Sequence, residues 1–168
     1  MVIRAVVTDC DGVLTDGGVY YGADGEVLKR FSMRDGMGFE RLRDAGLLVA
    51  IVSGEASPSL VARAEKLRIE ELHTGVTDKI GVIDSICARH GITREEIAYI
   101  GDDVNDVPVM RRVGLAGAPA DALAAALAVA GVVTEAPGGH GAFREFAEHV
   151  LQLLGWDQNR YERAEELT

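Results

Sequence analysis

Short apolar runs rich in β-branched residues recur along the chain, and longer segments with helical periodicity separate them. Residues 3–8 (IRAVVT), 47–52 (LLVAIV) and 97–100 (IAYI) have the length and composition of buried strands. Three shorter runs predict further strands: residues 71–73, 113–116 and 131–133. Continuous apolar strands of this kind are typical of parallel sheets that are covered on both faces.

The segments between these strands predict helices. Asp35 is expected to cap a helix that Gly46 ends, and Asp78 is expected to open a helix that Gly91 ends. Four more helices are predicted: over residues 58–67, up to Met110, in the alanine-rich stretch between residues 116 and 131, and over residues 141–154. Strands and helices therefore alternate through most of the chain.

A glycine-rich stretch at about residues 17–32 interrupts this alternation and predicts a β-hairpin that turns near residues 23–25. The whole pattern predicts an α/β fold: a Rossmann-like, mostly parallel sheet with helices on both faces, plus a small β-hairpin flap. We expect residues 1–156 to form a single domain. Residues 157–168 form a polar tail that is expected to fray.

Composition narrows the classes of partner. The chain has 168 residues and a net charge of −10, which argues against nucleic acid, since a phosphate backbone calls for a basic surface. The sequence has no apolar run of about 18 residues that would predict a transmembrane helix. It also lacks a signal-peptide pattern, so we expect a cytoplasmic protein without a membrane partner. Cys10 and Cys87 are expected to be free thiols.

Polar residues cluster where three of the predicted strands end. Because the carboxyl ends of parallel strands meet along one edge of a sheet, these residues are expected to share a crevice. Lys79 lies at a predicted helix start between the second and third clusters. The three clusters are Asp9 and Asp11, then Ser53 and Gly54, then Asp102, Asp103 and Asp106.

Clustered carboxylates of this kind suit a hard cation such as Mg²⁺, which also offsets their mutual repulsion. One of the first two carboxylates is placed to attack phosphorus while the other handles a proton. The Ser53 hydroxyl and the backbone N–H groups around Gly54 and Gly12 are candidates to cradle phosphate oxygens. Taken singly, an Asp-x-Asp pair, a Ser-Gly or a lone lysine is usually an ordinary loop feature. Their joint placement at strand ends indicates a site.

These residues resemble the four motifs of the haloacid dehalogenase superfamily of phosphatases. The first motif is similar to residues 9–17 (DCDGVLTDG), the second to Ser53, the third to Lys79 and the fourth to residues 101–106 (GDDVND). The resemblance covers all four motifs in their order along the chain. It implies a Mg²⁺-dependent phosphatase that works through an aspartyl phosphate.

The resemblance also implies a role for each residue. Asp9 would be the nucleophile and Asp11 the general acid and base. Ser53, Gly54, Gly12 and Lys79 would bind the phosphoryl group. Mg²⁺ would be held by Asp9, the backbone carbonyl of Asp11, and Asp102, while Asp103 and Asp106 would orient metal-bound waters and Lys79.

Most members of the superfamily carry a cap domain, for which this chain has no room. The chain resembles a capless branch that dephosphorylates 2-keto-3-deoxy sugar acids, through its hairpin, residues 31–36 (FSMRDG) and residues 138–145 (GGHGAFRE). This resemblance implies a homotetramer in which hairpins pack together and subunits complete each other's active sites. Arg34, in the second of these segments, is assigned to substrate binding.

Within this branch two sugar acids compete as substrate. The eight-carbon candidate is 3-deoxy-manno-octulosonate 8-phosphate, used in lipopolysaccharide synthesis; the nine-carbon candidates are 2-keto-3-deoxynononate 9-phosphate and N-acylneuraminate 9-phosphate. Octulosonate phosphatases usually have Ser-Gly-Arg at the second motif, whereas this chain has Glu55 there. Glu55, Arg63 and Lys66 resemble substrate-binding residues of the nononate enzymes, which favours a nine-carbon substrate. Arg63 and Lys66 would meet the substrate carboxylate, from a neighbouring subunit in one arrangement. The alternative is that they form a solvated helix surface.

Three other classes share parts of this pattern. A non-catalytic regulator on the same fold would be expected to have lost Asp9 or Asp11. A receiver-like signalling domain places its acidic pair and its phosphorylated aspartate on separate strands, unlike this chain. A phosphomutase would normally need a cap to exclude water from its aspartyl phosphate.

Overall fold

The computed structural model describes residues 2–156, so the polar tail predicted for residues 157–168 lies outside the described part of the chain. The strands are β1 (Ala5–Thr8), β2 (Tyr20–Gly22), β3 (Gly25–Leu28), β4 (Leu48–Val52), β5 (Glu71–His73), β6 (Ile97–Ile100), β7 (Leu115–Ala118) and β8 (Val132–Val133). The α-helices are α1 (Met33–Asp44), α2 (Pro58–Leu67), α3 (Lys79–His90), α4 (Val107–Met110), α5 (Ala124–Leu127) and α6 (Ala142–Leu153).

Six of the strands form one sheet in the order β5-β4-β1-β6-β7-β8, and every pair in it is parallel. The chain first builds outward from β1 through β4 to β5, and then crosses to the other side of β1 for β6, β7 and β8. The order therefore reverses beside β1, and such a reversal opens a crevice at the carboxyl ends of the strands. The sheet confirms the predicted fold class.

Alternate side chains of the central strand face two separate cores. Val6 packs with residues of α1, α2 and α6, whereas Val7 packs with residues of α3, α4 and α5. Successive residues of a strand point to opposite faces, so a strand with a core on each side must be apolar throughout. Helices cover both faces of the sheet, as the sequence predicts.

The first helix begins three residues earlier than predicted, because Ser32 and not Asp35 is its N-cap. The Ser32 hydroxyl accepts a hydrogen bond from the backbone N–H of Arg34. Asp35 lies buried in the first turn of α1 and accepts a hydrogen bond from the backbone N–H of Arg144, in the first turn of α6. Gly141, the N-cap of α6, has no side chain to cap that helix, so the Asp35 carboxylate of α1 accepts one of its free N–H groups instead.

The seventh strand and the helix that ends at Met110 also differ from the predicted pattern. The seventh strand lies at Leu115–Ala118 and not at residues 113–116. This strand includes Gly117, where a Cβ would come within 2.4 Å of the Phe146 ring, so the glycine makes room for α6. The helix that ends at Met110 has only four residues, because the chain before it forms a loop at the sheet edge.

The predicted hairpin is present as an antiparallel pair, β2 and β3, joined by a turn at residues 23–24. It stands apart from the main sheet, between β1 and α1 in the chain, and most of its side chains are exposed. In the described residues, no helix is long and apolar enough to span a membrane.

Candidate active site

Three adjacent strands place the predicted polar clusters side by side. Since β4 and β6 pair on either side of β1, the loops that follow these three strands meet at one edge of the sheet. A cleft of about 320 Å³ opens there. Its lining consists of Asp9, Asp11, Gly12, Gly17, Gly54, Glu55, Asp102, Asp103, Val104 and Asn105.

Lys79 joins two carboxylates beneath this cleft. Its Nζ lies 2.7 Å from Oδ1 of Asp9 and 2.7 Å from Oδ1 of Asp106, and all three side chains are buried. Burial alone would lower the pKa of the Lys79 ammonium, but the charges of Asp9 and Asp106 outweigh it and the pKa is raised. Lys79 therefore stays cationic at the floor of the site.

Asp106 is fully occupied by protein donors. Its Oδ1 accepts hydrogen bonds from Lys79 and from the Tyr99 hydroxyl, and its Oδ2 accepts the backbone N–H groups of Asp102 and Asp103 at 3.0 and 3.2 Å. These contacts fix the loop after β6 onto the end of its own strand. Asp106 thus positions Lys79 and the loop, and its lone pairs are taken up by those partners.

The carboxylates of Asp9 and Asp102 provide a place for a divalent cation, next to Asp106. Single oxygens of Asp9, Asp102 and Asp106 lie within 4.8 Å of one another. Burial raises the pKa of Asp102 to about 7, helped by the charges of Asp9, Asp106 and Asp103. Burial and the charge of Asp106 likewise raise the pKa of Asp9 to about 7, against the pull of Lys79. These carboxylates offer only oxygen ligands and repel one another, and both properties suit a hard cation such as Mg²⁺.

Asp11 lies on the rim of the cleft and contacts the hairpin. Its Oδ1 is 2.6 Å from Nζ of Lys29, just beyond the end of β3. The loop that carries Asp9 and Asp11 is also held from behind by the late glycine-rich segment, where the Gly139 N–H donates to the carbonyl of Val13. In this chain that segment therefore packs against the loop that follows its own β1.

The second motif is only partly open to the cleft. Ser53 is fully buried, and its hydroxyl is engaged with the backbone of Glu55, accepting the Glu55 N–H at 3.2 Å. Gly54 and Glu55 line the cleft itself. Gly12 lines it from the other side, with a φ of +84° that favours glycine.

Three of the predicted substrate-binding residues do not line the cleft of their own chain: Arg34, Arg63 and Lys66. The Arg63 guanidinium donates to the carbonyl of Ser32 at 2.9 Å and lies over the Phe31 ring. Lys66 and Arg34 are exposed on α2 and α1. Within one chain, Arg63 therefore connects α2 to the start of α1.

Sequence reasoning missed two residues of the site. Lys29 reads as an ordinary solvated hairpin lysine, and nothing in its local pattern indicates that it turns inward. Tyr99 reads as part of a buried strand. Its signal was a hydroxyl on an otherwise apolar run two residues before Gly101, because a buried tyrosine hydroxyl usually needs a partner.

Comparison with known proteins decides the family. A family model described as haloacid dehalogenase-like hydrolase matches residues 63–144. The 3-deoxy-D-manno-octulosonate 8-phosphate phosphatase of Haemophilus influenzae is 41% identical over 153 residues, which cover 91% of this chain and 85% of the relative. The chain belongs to this phosphatase family. The Yersinia pestis protein of the same name is 42% identical over 149 residues, covering 89% of this chain and 80% of that one.

Solved structures of this family have the same fold. The cobalt-bound Haemophilus influenzae phosphatase superposes with a TM-score of 0.88 at 41% identity, over 91% of this chain and 90% of the other. The Moraxella catarrhalis phosphatase, in complex with magnesium, phosphate and 3-deoxy-D-manno-octulosonate, superposes with a TM-score of 0.88 at 30% identity, over 99% and 94%. The chain is therefore a phosphatase of the haloacid dehalogenase superfamily, which confirms the resemblance seen in its motifs.

Proposed function

We propose that this chain hydrolyses 3-deoxy-D-manno-octulosonate 8-phosphate in a Mg²⁺-dependent reaction, with Asp9 as the nucleophile. The observation that supports this choice of substrate is the similarity to octulosonate 8-phosphate phosphatases along nearly the whole chain. The observation that supports the chemistry is the cleft lined by Asp9 and Asp102, with Lys79 held against Asp9 beneath it.

Asp9 begins the reaction by attacking phosphorus with a carboxylate oxygen. The bond between phosphorus and the sugar oxygen breaks, which leaves an aspartyl phosphate on Asp9. Lys79 keeps a positive charge beside the attacking carboxylate and the transferring group, where electrostatic stabilisation contributes most to phosphoryl transfer. A bound Mg²⁺, held by Asp9, the carbonyl of Asp11 and Asp102, would neutralise charge on the phosphoryl oxygens.

Asp11 handles the protons of both half-reactions. As an acid it gives its proton to the leaving sugar oxygen, which departs as an alcohol. As a base it then takes a proton from water while the water oxygen attacks phosphorus, which releases inorganic phosphate and restores Asp9. Its place on the rim of the cleft, two residues from the nucleophile, supports both roles.

The choice of an eight-carbon sugar reverses the preference drawn from Glu55, Arg63 and Lys66. The similar curated proteins are octulosonate 8-phosphate phosphatases, although Glu55 stands where such enzymes usually have arginine. Glu55 lines the cleft and Arg63 contacts Ser32 within its own chain, so only Glu55 is in place to touch substrate from the same subunit. The nine-carbon sugar acids are the second candidate, on the strength of Glu55.

The test is a side-by-side measurement of kcat/KM with Mg²⁺ for the eight-carbon and nine-carbon substrates. We expect a preference of at least about tenfold for the eight-carbon ester, which is about 1.4 kcal/mol of transition-state binding. The opposite preference would reject the proposed substrate and restore the nine-carbon assignment. Asp9→Asn provides the blank, and Asp84→Asn, at a surface ion pair with Arg94, is the matched control that should keep full activity.

We also propose that the chain forms a homotetramer through its hairpin. Five apolar side chains on the hairpin are exposed: Val19, Tyr20, Tyr21, Val27 and Leu28. A cluster of this kind on a small flap favours contact with another copy, because monomers rarely expose contiguous apolar patches. Light scattering should then show a tetramer that Val27→Asp dissociates. Val133→Asp, a similarly exposed valine at the far edge of the sheet, should leave it intact.

In such a tetramer, Arg34, Arg63 and Lys66 would act on a neighbour's substrate. Subunit mixing tests this for Lys66, which is exposed in its own chain. Mixed tetramers of Asp9→Asn and Lys66→Met subunits should recover activity that neither variant has alone. Absence of recovery would place Lys66 on an ordinary helix surface.

The cytoplasmic location stays a prediction from the sequence.

A further inference from the structure

Lys29 is buried although it belongs to an exposed hairpin. The side chains of β2 are exposed, and so are Val27 and Leu28 at the end of β3. The next residue, Lys29, turns toward the body of the protein, and only 3% of its side chain is exposed. Lysine is among the residues that are almost never fully buried unless they are paired, so this placement calls for an explanation.

Two carboxylates hold the Lys29 ammonium. Its Nζ lies 2.6 Å from Oδ1 of Asp11 and 3.7 Å from Oε2 of Glu26. Glu26 is itself fixed, because its Oε1 accepts hydrogen bonds from the Ser57 hydroxyl at 2.8 Å and from the Ser59 N–H at 3.1 Å. Since Ser57 is the N-cap of α2, a continuous chain of contacts runs from that helix through the hairpin to Asp11.

This chain of contacts ends on the carboxylate that handles protons. Among residues 2–156, Lys29 is the one hydrogen-bond partner described for the Asp11 side chain, which is 28% exposed and lines the cleft. Stability alone is a weak reason for such a pair, since burying a lysine is costly and the ion pair only partly offsets that cost. Catalysis gives a stronger reason, because a proton donor must be held within a fraction of an ångström of its acceptor.

We propose that Lys29 is a positioning residue for Asp11, fixing Oδ1 so that the other carboxylate oxygen serves as the proton donor and acceptor. The inference rests on the proposed function only in that Asp11 is the acid and base. The hairpin would then have a second role besides contact between subunits, because its Lys29 ammonium orients the Asp11 carboxyl group. Lys29 itself forms no bond to substrate in this assignment.

The test uses a series of substituted phenyl phosphates whose leaving groups span a range of pKa values, assayed with Mg²⁺ at fixed pH. The quantity measured is kcat/KM, which includes steps only up to departure of the leaving group. Poor leaving groups need a proton from Asp11, whereas good ones leave unaided. We expect Lys29→Met to lower kcat/KM by roughly 100-fold for the poorest leaving group. For the best leaving group we expect a loss below about threefold, so that the plot against leaving-group pKa becomes steeper.

Three variants control the interpretation. Asp11→Asn should give the same steep plot, since it removes the acid itself. Arg30→Met removes the neighbouring cation, which donates to the carbonyl of Gly139, and should keep the wild-type slope. Lys29→Arg keeps the charge and should recover part of the loss. Circular dichroism checks folding, and Lys29→Gln replaces Lys29→Met if the latter does not fold.

The outcomes separate the two proposals. A uniform loss across all phosphates in Lys29→Met, with a steep plot in Asp11→Asn, would overturn the role of Lys29 and leave the acid role of Asp11 standing. A wild-type slope in Asp11→Asn would overturn both. A failure to hydrolyse the eight-carbon sugar phosphate would affect neither, because the phenyl phosphates carry no sugar.

Discussion

The backbone of Gly12 lies directly against the carboxylate of Asp102. A Cβ atom at position 12 would come within 1.9 Å of Oδ2 of Asp102, and the glycine also has a φ of +84°. The two residues follow different strands, β1 and β6, that pair side by side. This contact therefore sets how closely the loop after β1 and the loop after β6 approach each other.

Gly12→Ala is expected to displace Asp102 and weaken Mg²⁺ binding. Mutation of a residue that orients a metal ligand typically costs roughly 10- to 100-fold in metal affinity, and titration calorimetry measures this loss. Gly46→Ala is the matched control, because its φ of +79° imposes a similar backbone strain with no atom within 4 Å of the added Cβ. Gly46→Ala should lose about 1 kcal/mol of stability through backbone strain, and Gly12→Ala should lose more, because its Cβ also meets Asp102. Equal Mg²⁺ affinity in the two variants would contradict the role of the contact.

Mg²⁺ affinity should fall steeply below neutral pH. Without metal, the pKa values of Asp9 and Asp102 are both raised to about 7, so protons compete with the cation for these oxygens. Affinity should be fully developed above pH 8 and fall by roughly 10- to 100-fold between pH 7.5 and 6, the smaller loss for one competing proton and the larger for two, with protons released on binding. Calorimetry in buffers of different ionisation enthalpy counts those protons. An affinity that stays constant over this interval would rule out the competition.

Asp35 should make the free energy of unfolding depend on pH. Burial raises its pKa to about 6, above 3.8 in the unfolded chain, although the Arg144 N–H and nearby charges lower it. Its stabilising contribution is therefore complete below pH 3.8 and decreases as pH rises to about 6. Since asparagine does not titrate, Asp35→Asn should gain about 2 kcal/mol relative to wild type between pH 4 and 7. Urea unfolding at both pH values measures this gain, and parallel pH profiles would contradict it.

Tyr99→Phe should destabilise the protein without removing its activity. The variant deletes the buried hydroxyl that donates to Asp106 but leaves Lys79 in contact with that carboxylate. We expect a loss of about 1–3 kcal/mol in the free energy of unfolding, and a smaller effect on kcat/KM than Asp106→Asn causes. Ser85→Ala, which removes an exposed hydroxyl that donates to the carbonyl of Gly81 in α3, is the control and should be nearly neutral. A neutral Tyr99→Phe would mean that water replaces the hydroxyl.

Local patterns predicted the sheet well because its strands are apolar on both faces. The run IAYI became β6 with its predicted bounds, and the polar residues after β1, β4 and β6 meet as expected from a parallel sheet. Patterns failed where a residue serves a distant element. Asp35 looks like a cap for its own helix but accepts a hydrogen bond from the backbone N–H of Arg144. The seventh strand extends past its predicted end through Gly117, which makes room for Phe146.

The site residues divide in the same way, into those that a local sequence pattern reveals and those that a distant element positions. Lys79 was recognisable because its motif places it at a helix start, and it does begin α3. Lys29 was not, because its inward turn depends on Glu26, which is held in turn by the start of α2. Long-range contacts of this kind leave no periodic signal in the sequence.

The central place of β1 has a consequence for how the protein is made. Thr8 pairs with Ile51 on one side and with Ile100 on the other, so the two neighbours of the first strand are translated far apart in time. A nascent chain that has reached His90 already contains Asp9, Asp11 and Lys79, yet it lacks β6 and the loop after it, which carries Asp102 and Asp106. Because such long-range pairings form late, catalytic activity should appear abruptly near the end of synthesis. No shorter N-terminal fragment should hydrolyse a phosphate ester.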